Sequence, residues 1–254
     1  MAEVLRTQGL VKRFGGLLAT NHVNFVLNEG EIKGLIGPNG AGKTTFYNLV
    51  TGMYKADEGK VFFMGEDITG LRADQICRKG LVRTHQITSV FPKLSVYENV
   101  RLAAQVGFAE KVSAFRDIRT FREVLKHVDQ ILELIDLVSL RDERADEISQ
   151  GDQRLLEVAI ALGSKPKAFL LDEPTAGLSA KETGTLVEKI QGLFDDGVIR
   201  NIVLVEHDIE VLTGLAHTIC VLNYGEVIKD GPTREVCDDA RVQEVYLCGG
   251  KVNA

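Results

Sequence analysis

The sequence predicts an α/β fold with a mainly parallel sheet, and three observations carry that prediction. Two runs, Ala168-Phe169-Leu170-Leu171 and Ile202-Val203-Leu204-Val205, are apolar straight through, as expected of strands buried on both faces of a parallel sheet. Between them Leu186, Val187, Ile190, Leu193 and Phe194 recur at helical spacing, and the stripe stops at Gly197. Strand alternating with helix implies a parallel sheet covered by helices. From about residue 89 to 162 the pattern turns helical throughout, so a helical subdomain is expected as an insert in the α/β core.

In chain order, Val4 to Val11 and His22 to Leu27 read as strands, the second with Val23, Phe25 and Leu27 alternating. Asn28-Glu29-Gly30 is a turn, and Glu31 to Ile36 a further short strand. After Thr45, the residues Phe46, Leu49, Val50 and Met53 fall on one helical face. Lys60 to Met64 is a strand, and glycine-bounded strands are expected to about Gln86. Ser95 to Leu102 reads as helix. Phe115 to Leu140 reads as a long amphipathic helix with Val124, Leu125, Val128, Ile131, Leu132 and Ile135 on its apolar stripe. Another helix follows Ser149 with Leu155, Leu156, Val158, Ala159 and Leu162. The tail predicts a hairpin through Asn223-Tyr224-Gly225 and a short helix from Arg234 to Leu247.

The chemistry concentrates in Gly37-Pro38-Asn39-Gly40-Ala41-Gly42-Lys43-Thr44-Thr45, which fits G-x-x-x-x-G-K-[ST] between a strand and a helix. Glycines let successive backbone N–H groups turn inward around phosphate oxygens, which a Cβ would obstruct. Lys43 would place a positive charge on the terminal phosphates, and the Thr44 hydroxyl would ligate Mg²⁺. The following helix adds the positive end of its dipole. These residues imply binding of a nucleoside triphosphate.

Asp172 and Glu173 stand at the carboxyl end of a buried strand, where open α/β sheets place their ligands. Acids are also favoured at a helix start after a strand. With a phosphate loop upstream, Asp172 is expected on Mg²⁺ and Glu173 as the general base for the attacking water. Other residues say less alone. Phe14 reads as a core or strand-end aromatic and His207 as a satisfied core or strand-end histidine. Gln86 is uninformative, and Ser149 with Asp152 before an apolar run is a helix capping box.

Composition narrows the class. The 254 residues suit one large domain or a domain with a subdomain, and 44% apolar with 26% charged content is ordinary for a globular protein. A net charge of −6 argues against a nucleic-acid partner. Cys77, Cys220, Cys237 and Cys248 have no C-x-x-C spacing, so neither a disulfide framework nor a zinc site is expected. No apolar run reaches the roughly 18 residues of a membrane span, and the first residues lack a signal-peptide layout. A membrane role is therefore expected to come through a partner.

Taken together, the motifs resemble the nucleotide-binding subunit of ATP-binding cassette (ABC) transporters over nearly the whole chain. Gly37 to Thr45 resemble Walker A, and Ala168 to Glu173 resemble Walker B with its glutamate. Phe14 matches the aromatic that stacks on adenine, Gln86 the Q-loop glutamine, and His207 the switch histidine. Ile148-Ser149-Gln150-Gly151-Asp152 matches the signature usually written LSGGQ, and Ala176-Gly177-Leu178-Ser179 the D-loop. The resemblance implies one nucleotide-binding domain, with an ATP-binding core at 1–88 and 163–254, antiparallel N-terminal strands, and a helical signature subdomain at 89–162. It implies ATP and Mg²⁺ as cofactors, with Gln86 also sensing the metal. It implies head-to-tail pairing with a second ABC ATPase subunit, so that Ser149 and the backbone at Gly151 touch the γ-phosphate held by the other subunit. His207 would contact the γ-phosphate in its own site. The further partners are transmembrane permease subunits docked in a groove beside the Q-loop and, indirectly, a solute-binding protein. The resemblance implies a place of work at the cytoplasmic face of the inner (plasma) membrane, as a peripheral subunit.

Three positions depart from the family pattern: Gln150 replaces a glycine, Asp152 sits where Gln or Glu is usual, and Ile160 stands where arginine is frequent. Lys12-Arg13-Phe14-Gly15-Gly16, the long helical insert, Val205-Glu206-His207-Asp208 and the ending Val242 to Leu247 resemble the branched-chain amino acid importer ATPases. Importers of urea or amides share much of that pattern. A soluble ABC ATPase is the rival from another class, opposed by the single cassette and the lack of a long coiled coil. A GTPase is opposed by the missing N-K-x-D.

Overall fold

β1 (Glu3–Phe14) and β2 (Leu17–Asn28) form an antiparallel hairpin, and β4 (Glu58–Phe63) pairs antiparallel on the other side of β1, with the short β5 (Glu66–Asp67) beyond it. The register places Leu5 between Leu27 and Phe63, and Thr7 between Phe25 and Val61. Alternation puts Val23, Phe25 and Leu27 on the buried face, as the sequence predicts. These strands are described in the computed structural model, which covers residues 2–84, 90–108 and 121–248. The chain divides into two units, Met1–Ile76 with Arg200–Ala254, and Cys77–Ile199.

In the first unit a second sheet centres on β3 (Ile32–Ile36), with all five residues buried. β8 (Ile202–Val205) and β9 (Thr218–Asn223) flank it as parallel neighbours, and β10 (Glu226–Pro232) runs antiparallel along β9. α1 (Lys43–Val50) joins the two sheets: the Phe46 ring lies 5.0 Å from Phe25 of β2, and the Tyr47 hydroxyl donates to the Val203 carbonyl of β8 at 2.9 Å. Both side chains are fully buried, each contributing roughly 1.5–3 kcal/mol of apolar burial. The charged residue in β3, Lys33, is paired with Asp230 at 2.7 Å, which satisfies a charge otherwise costly to bury.

The second unit holds β6 (Leu81–Arg83), parallel to β7 (Ala168–Asp172), and the helices α3 (Val96–Gly107), α4 (Arg122–Leu134), α5 (Gln150–Gly163) and α6 (Ala180–Asp195). α3 and α5 meet through small residues. A Cβ on Gly107 would stand 2.9 Å from the Gly163 carbonyl oxygen, and one on Gly163 would stand 3.0 Å from the Ala104 nitrogen. α4 buries Val124, Val128, Ile131 and Leu132.

Several local expectations need correction. The helix expected to Leu140 stops at Leu134. Asp136 takes a left-handed φ of 60°, the Leu137 amide bonds back to the Leu132 carbonyl at 2.9 Å, and one 3₁₀ turn, Val138–Leu140, follows. That is a Schellman ending, and Leu132 and Leu137, at the positions where such endings carry an apolar pair, are both buried. The part of that stretch at 115–120 lies outside the described residues. Met53 is not on the buried face of α1, because the helix ends at Val50 and Met53 is 56% exposed. Between β5 and β6 lies a helix, α2 (Ala73–Lys79), where strands were expected; it buries only Ile76, too little for a periodic signal. The tail is two helices, α8 (Thr233–Cys237) and α9 (Ala240–Cys248), divided where the Asp239 carboxylate accepts the Arg241 amide at 3.0 Å.

Candidate nucleotide-binding site

In the first unit β3 runs through the loop 37–42 into α1, and the loop is pressed against two other strands. A Cβ on Gly37 would collide with the Leu222 carbonyl oxygen of β9. One on Gly42, whose φ is 104°, would collide with the Ala19 carbonyl oxygen of β2. The Gly225 amide donates to the Ala41 carbonyl at 2.9 Å, and the Asn21 amide donates to the Gly225 carbonyl at 2.8 Å. The tip of the β9–β10 hairpin therefore braces the loop. Tyr224 takes a φ of 45° and is 85% exposed at that tip.

The loop delivers a helix start suited to an anion. Gly42 is the N-cap of α1, no described side chain caps it, and the first turn holds no acid. The amide groups at such a start favour a negative ligand. Lys43 is buried along its length, with Nζ donating to the carbonyls of Gly37 (2.6 Å) and Pro38 (3.2 Å). Asn39, Gly40 and Thr44 are exposed, Ala41 is buried and Thr45 half-buried.

β3 and β8 are parallel neighbours with Gly34 opposite Leu204, so their carboxyl ends share one edge. The loop leaves from the first, and exposed His207 follows the second, after buried Glu206. Asp208 then caps α7 (Ile209–Leu215), accepting the amides of Glu210 (2.8 Å) and Val211 (3.3 Å). Phe14 ends β1 and is not a core residue: its ring is 43% exposed and meets Tyr54 edge-on, centroids 5.4 Å apart.

In the second unit Asp172 closes β7, buried, and its carboxylate accepts Arg83 Nη2 of β6 at 2.7 Å. Glu173 follows with a left-handed φ of 50°, a conformation costing about 1–3 kcal/mol and concentrated at functional sites. Ser149 is the N-cap of α5, its hydroxyl accepting the Asp152 amide at 3.1 Å and donating to the Asp152 carboxylate at 2.6 Å. The Gly151 amide donates to Glu182 of α6 at 3.3 Å. Gln86 lies outside the described residues.

Sequence reasoning missed Arg83, Glu182 and the Tyr224-Gly225 brace. Only Glu182 had a readable signal, since Ser179-Ala180-Lys181-Glu182 is a capping box before an apolar run, and that box is formed.

Among the described residues no cluster of three or more His, Cys, Asp or Glu could hold a metal by itself. The hydroxyl of exposed Thr44 in the first unit and the buried Asp172 carboxylate in the second are each an oxygen donor of the kind Mg²⁺ accepts. The helix start without a side-chain cap and the Lys43 ammonium suit a phosphate chain, while the close approach of Gly37 and Gly42 to neighbouring strands fixes the loop's path.

A family profile described as "ABC transporter" matches residues 20–176. The chain belongs to the ABC transporter family. A relative of this cassette is the probable branched-chain amino acid transport ATP-binding protein LivG of Archaeoglobus fulgidus, 39% identical over 248 residues, covering 96% of this chain and 95% of the relative. Among solved structures, an ATP-binding cassette of an ABC transporter in its ADP conformation superposes with a TM-score of 0.84 at 30% identity, covering 97% of this chain and 99% of that one. A second cassette, solved as a dimer in a post-hydrolysis state with ADP and Pi, gives a TM-score of 0.76 at 25% identity, covering 91% and 99% of the two chains.

Proposed function

We propose that this ABC cassette binds and hydrolyses ATP as the energising subunit of an importer for branched-chain or other small amino acids. The observation that carries the ATP reading is the braced 37–42 loop with Lys43 at the start of an uncapped helix. The solute class is supported by the near full-length likeness to a LivG protein.

Each residue then has a task. The amides of Gly37, Asn39, Gly40, Ala41, Gly42 and Thr45, with the Lys43 ammonium, hold the phosphates, and Phe14 stacks on adenine. Thr44, Asp172 and Gln86 would hold Mg²⁺, which would neutralise phosphate charge. Glu173 accepts the proton of the water that attacks the γ-phosphorus, and His207 donates to a γ-phosphate oxygen. Ser149 and Gly151 meet the γ-phosphate held by a second cassette, a pairing supported by the dimeric relative. Closure on ATP and reopening after hydrolysis drive the permease subunits at the cytoplasmic face of the plasma membrane, where a solute-binding protein delivers the cargo from outside. No described helix is long and apolar enough to cross a membrane, so the membrane path is assigned to the permease.

Affinity purification of the tagged chain from its native membranes tests this reading. Recovery of polytopic permease subunits and a second cassette is expected. ATPase activity confined to the soluble fraction, with no membrane protein recovered, would replace the importer with a soluble ABC ATPase.

A further inference from the structure

The start of α5 is tied to the turn before α6 by three contacts. Glu182 Oε1 accepts the Gly151 amide at 3.3 Å, while Oε2 accepts the Ser179 amide (2.9 Å) and hydroxyl (2.6 Å). Arg154, anchored on Glu157 at 2.9 Å, donates to the Ala176 carbonyl at 3.3 Å. The Gln150 amide lies against Gly177, where a Cβ would stand 2.8 Å from Nε2.

Glu182 is the side chain whose single carboxylate reaches the backbone at both helix starts. At α6 its role is ordinary, because Oε2 alone completes the capping box with Ser179. At α5 no cap is needed from it, because Ser149 already accepts the Asp152 amide. The bond from Gly151 is long, so its weight in stability is small. What it fixes is direction: it sets the Gly151 amide, and the Ser149 end of α5, against the 176–179 turn. Gly151 permits this approach, since a Cβ there would stand 3.0 Å from Glu182 Oε1. The Ser179 hydroxyl, its amide and the Gly151 amide all hold the Glu182 carboxyl below the usual range, which keeps both oxygens acceptors at neutral pH.

We propose that Glu182 is a positioning residue for the signature end of α5, holding Ser149 and Gly151 in the orientation that meets the γ-phosphate of the second cassette and linking that contact to the 176–179 turn. It rests on the reading of the α5 N-terminus given under Proposed function.

Glutamine at 182 separates the two roles. Its one oxygen keeps the two bonds from Ser179, while its NH₂ group cannot accept the Gly151 amide. In the full chain, Glu182→Gln is expected to unfold within about 2 °C of the wild type. Its Gly151 amide should exchange with deuterium about tenfold faster. In the assembled transporter the same variant should raise KM for ATP about fivefold, while ATP affinity of the isolated chain stays unchanged. Ser95→Ala, which removes the N-cap of α3, controls for loss of stability alone and should leave both readouts in place.

Wild-type Gly151 exchange in Glu182→Gln would overturn the proposal. So would an unmoved KM, or an equal rise in Ser95→Ala. The exchange readout needs no transporter, so it judges Glu182 even if the importer reading fails on its own test.

Discussion

Lys43 places its ammonium on two neutral carbonyls of its own loop, those of Gly37 and Pro38. Phosphate oxygens are stronger partners for that charge. Lys43→Ala is therefore expected to weaken ATP binding about 10- to 100-fold by isothermal titration, the equivalent of one charge-assisted hydrogen bond. Phe14, displayed at a strand end with Tyr54 edge-on behind it, has the exposure a stacking ring needs. Phe14→Ala should lower ATP affinity about tenfold with the fold intact, in line with base–aromatic stacking elsewhere. His127 is a further test at this scale. Burial, and then the charge of Lys165, hold its imidazole below the ordinary value. The unfolded chain then binds the proton first, so stability falls as pH drops through about 6.5 and levels off below the folded value. Denaturant titrations should show that slope in the wild type and lose it in His127→Gln. Residues inside one motif, from Gly37 to Thr45, were legible because spacing alone defines them. Arg83, and the Gly151 partner of Glu182, were not, since only the fold brings Asp172 to the one and Gly151 to the other.

Among the elements, helix interiors were readable and their ends were less so. α6 ends before Gly197, whose amide and that of Val198 close its last turn, and glycine there announces the stop. α4 ends by the same geometry with Asp136 in the left-handed position, which an aspartate does not announce. The α3–α5 contact was invisible for a different reason: two single glycines in separate helices have no period. Gly163→Leu would drive a side chain into the α3 backbone, costing about 1–3 kcal/mol or more. The expected drop in melting temperature is about 2–4 °C per kcal/mol. The β6–β7 pair carries a larger effect. Arg83→Ala would leave Asp172 as a buried carboxylate without its guanidinium, a loss of about 3–5 kcal/mol in urea unfolding. Arg72→Ala, at an exposed pair, should leave the urea midpoint close to that of the wild type.

In the whole molecule, the parallel strands flanking β3 follow the alternation of strand and helix read from the sequence, and the antiparallel hairpin before them is the arrangement the family resemblance implied. Glu173, the proposed general base for ATP turnover, follows directly on the end of β7 with a left-handed backbone. The most direct measurement is phosphate release by the assembled transporter carrying Glu173→Gln, with ATP binding measured in the same preparation. Wild-type ATP affinity is expected, with turnover reduced at least about 100-fold by the loss of a general base. Turnover within a few-fold of the wild type, with ATP still bound, would contradict that role.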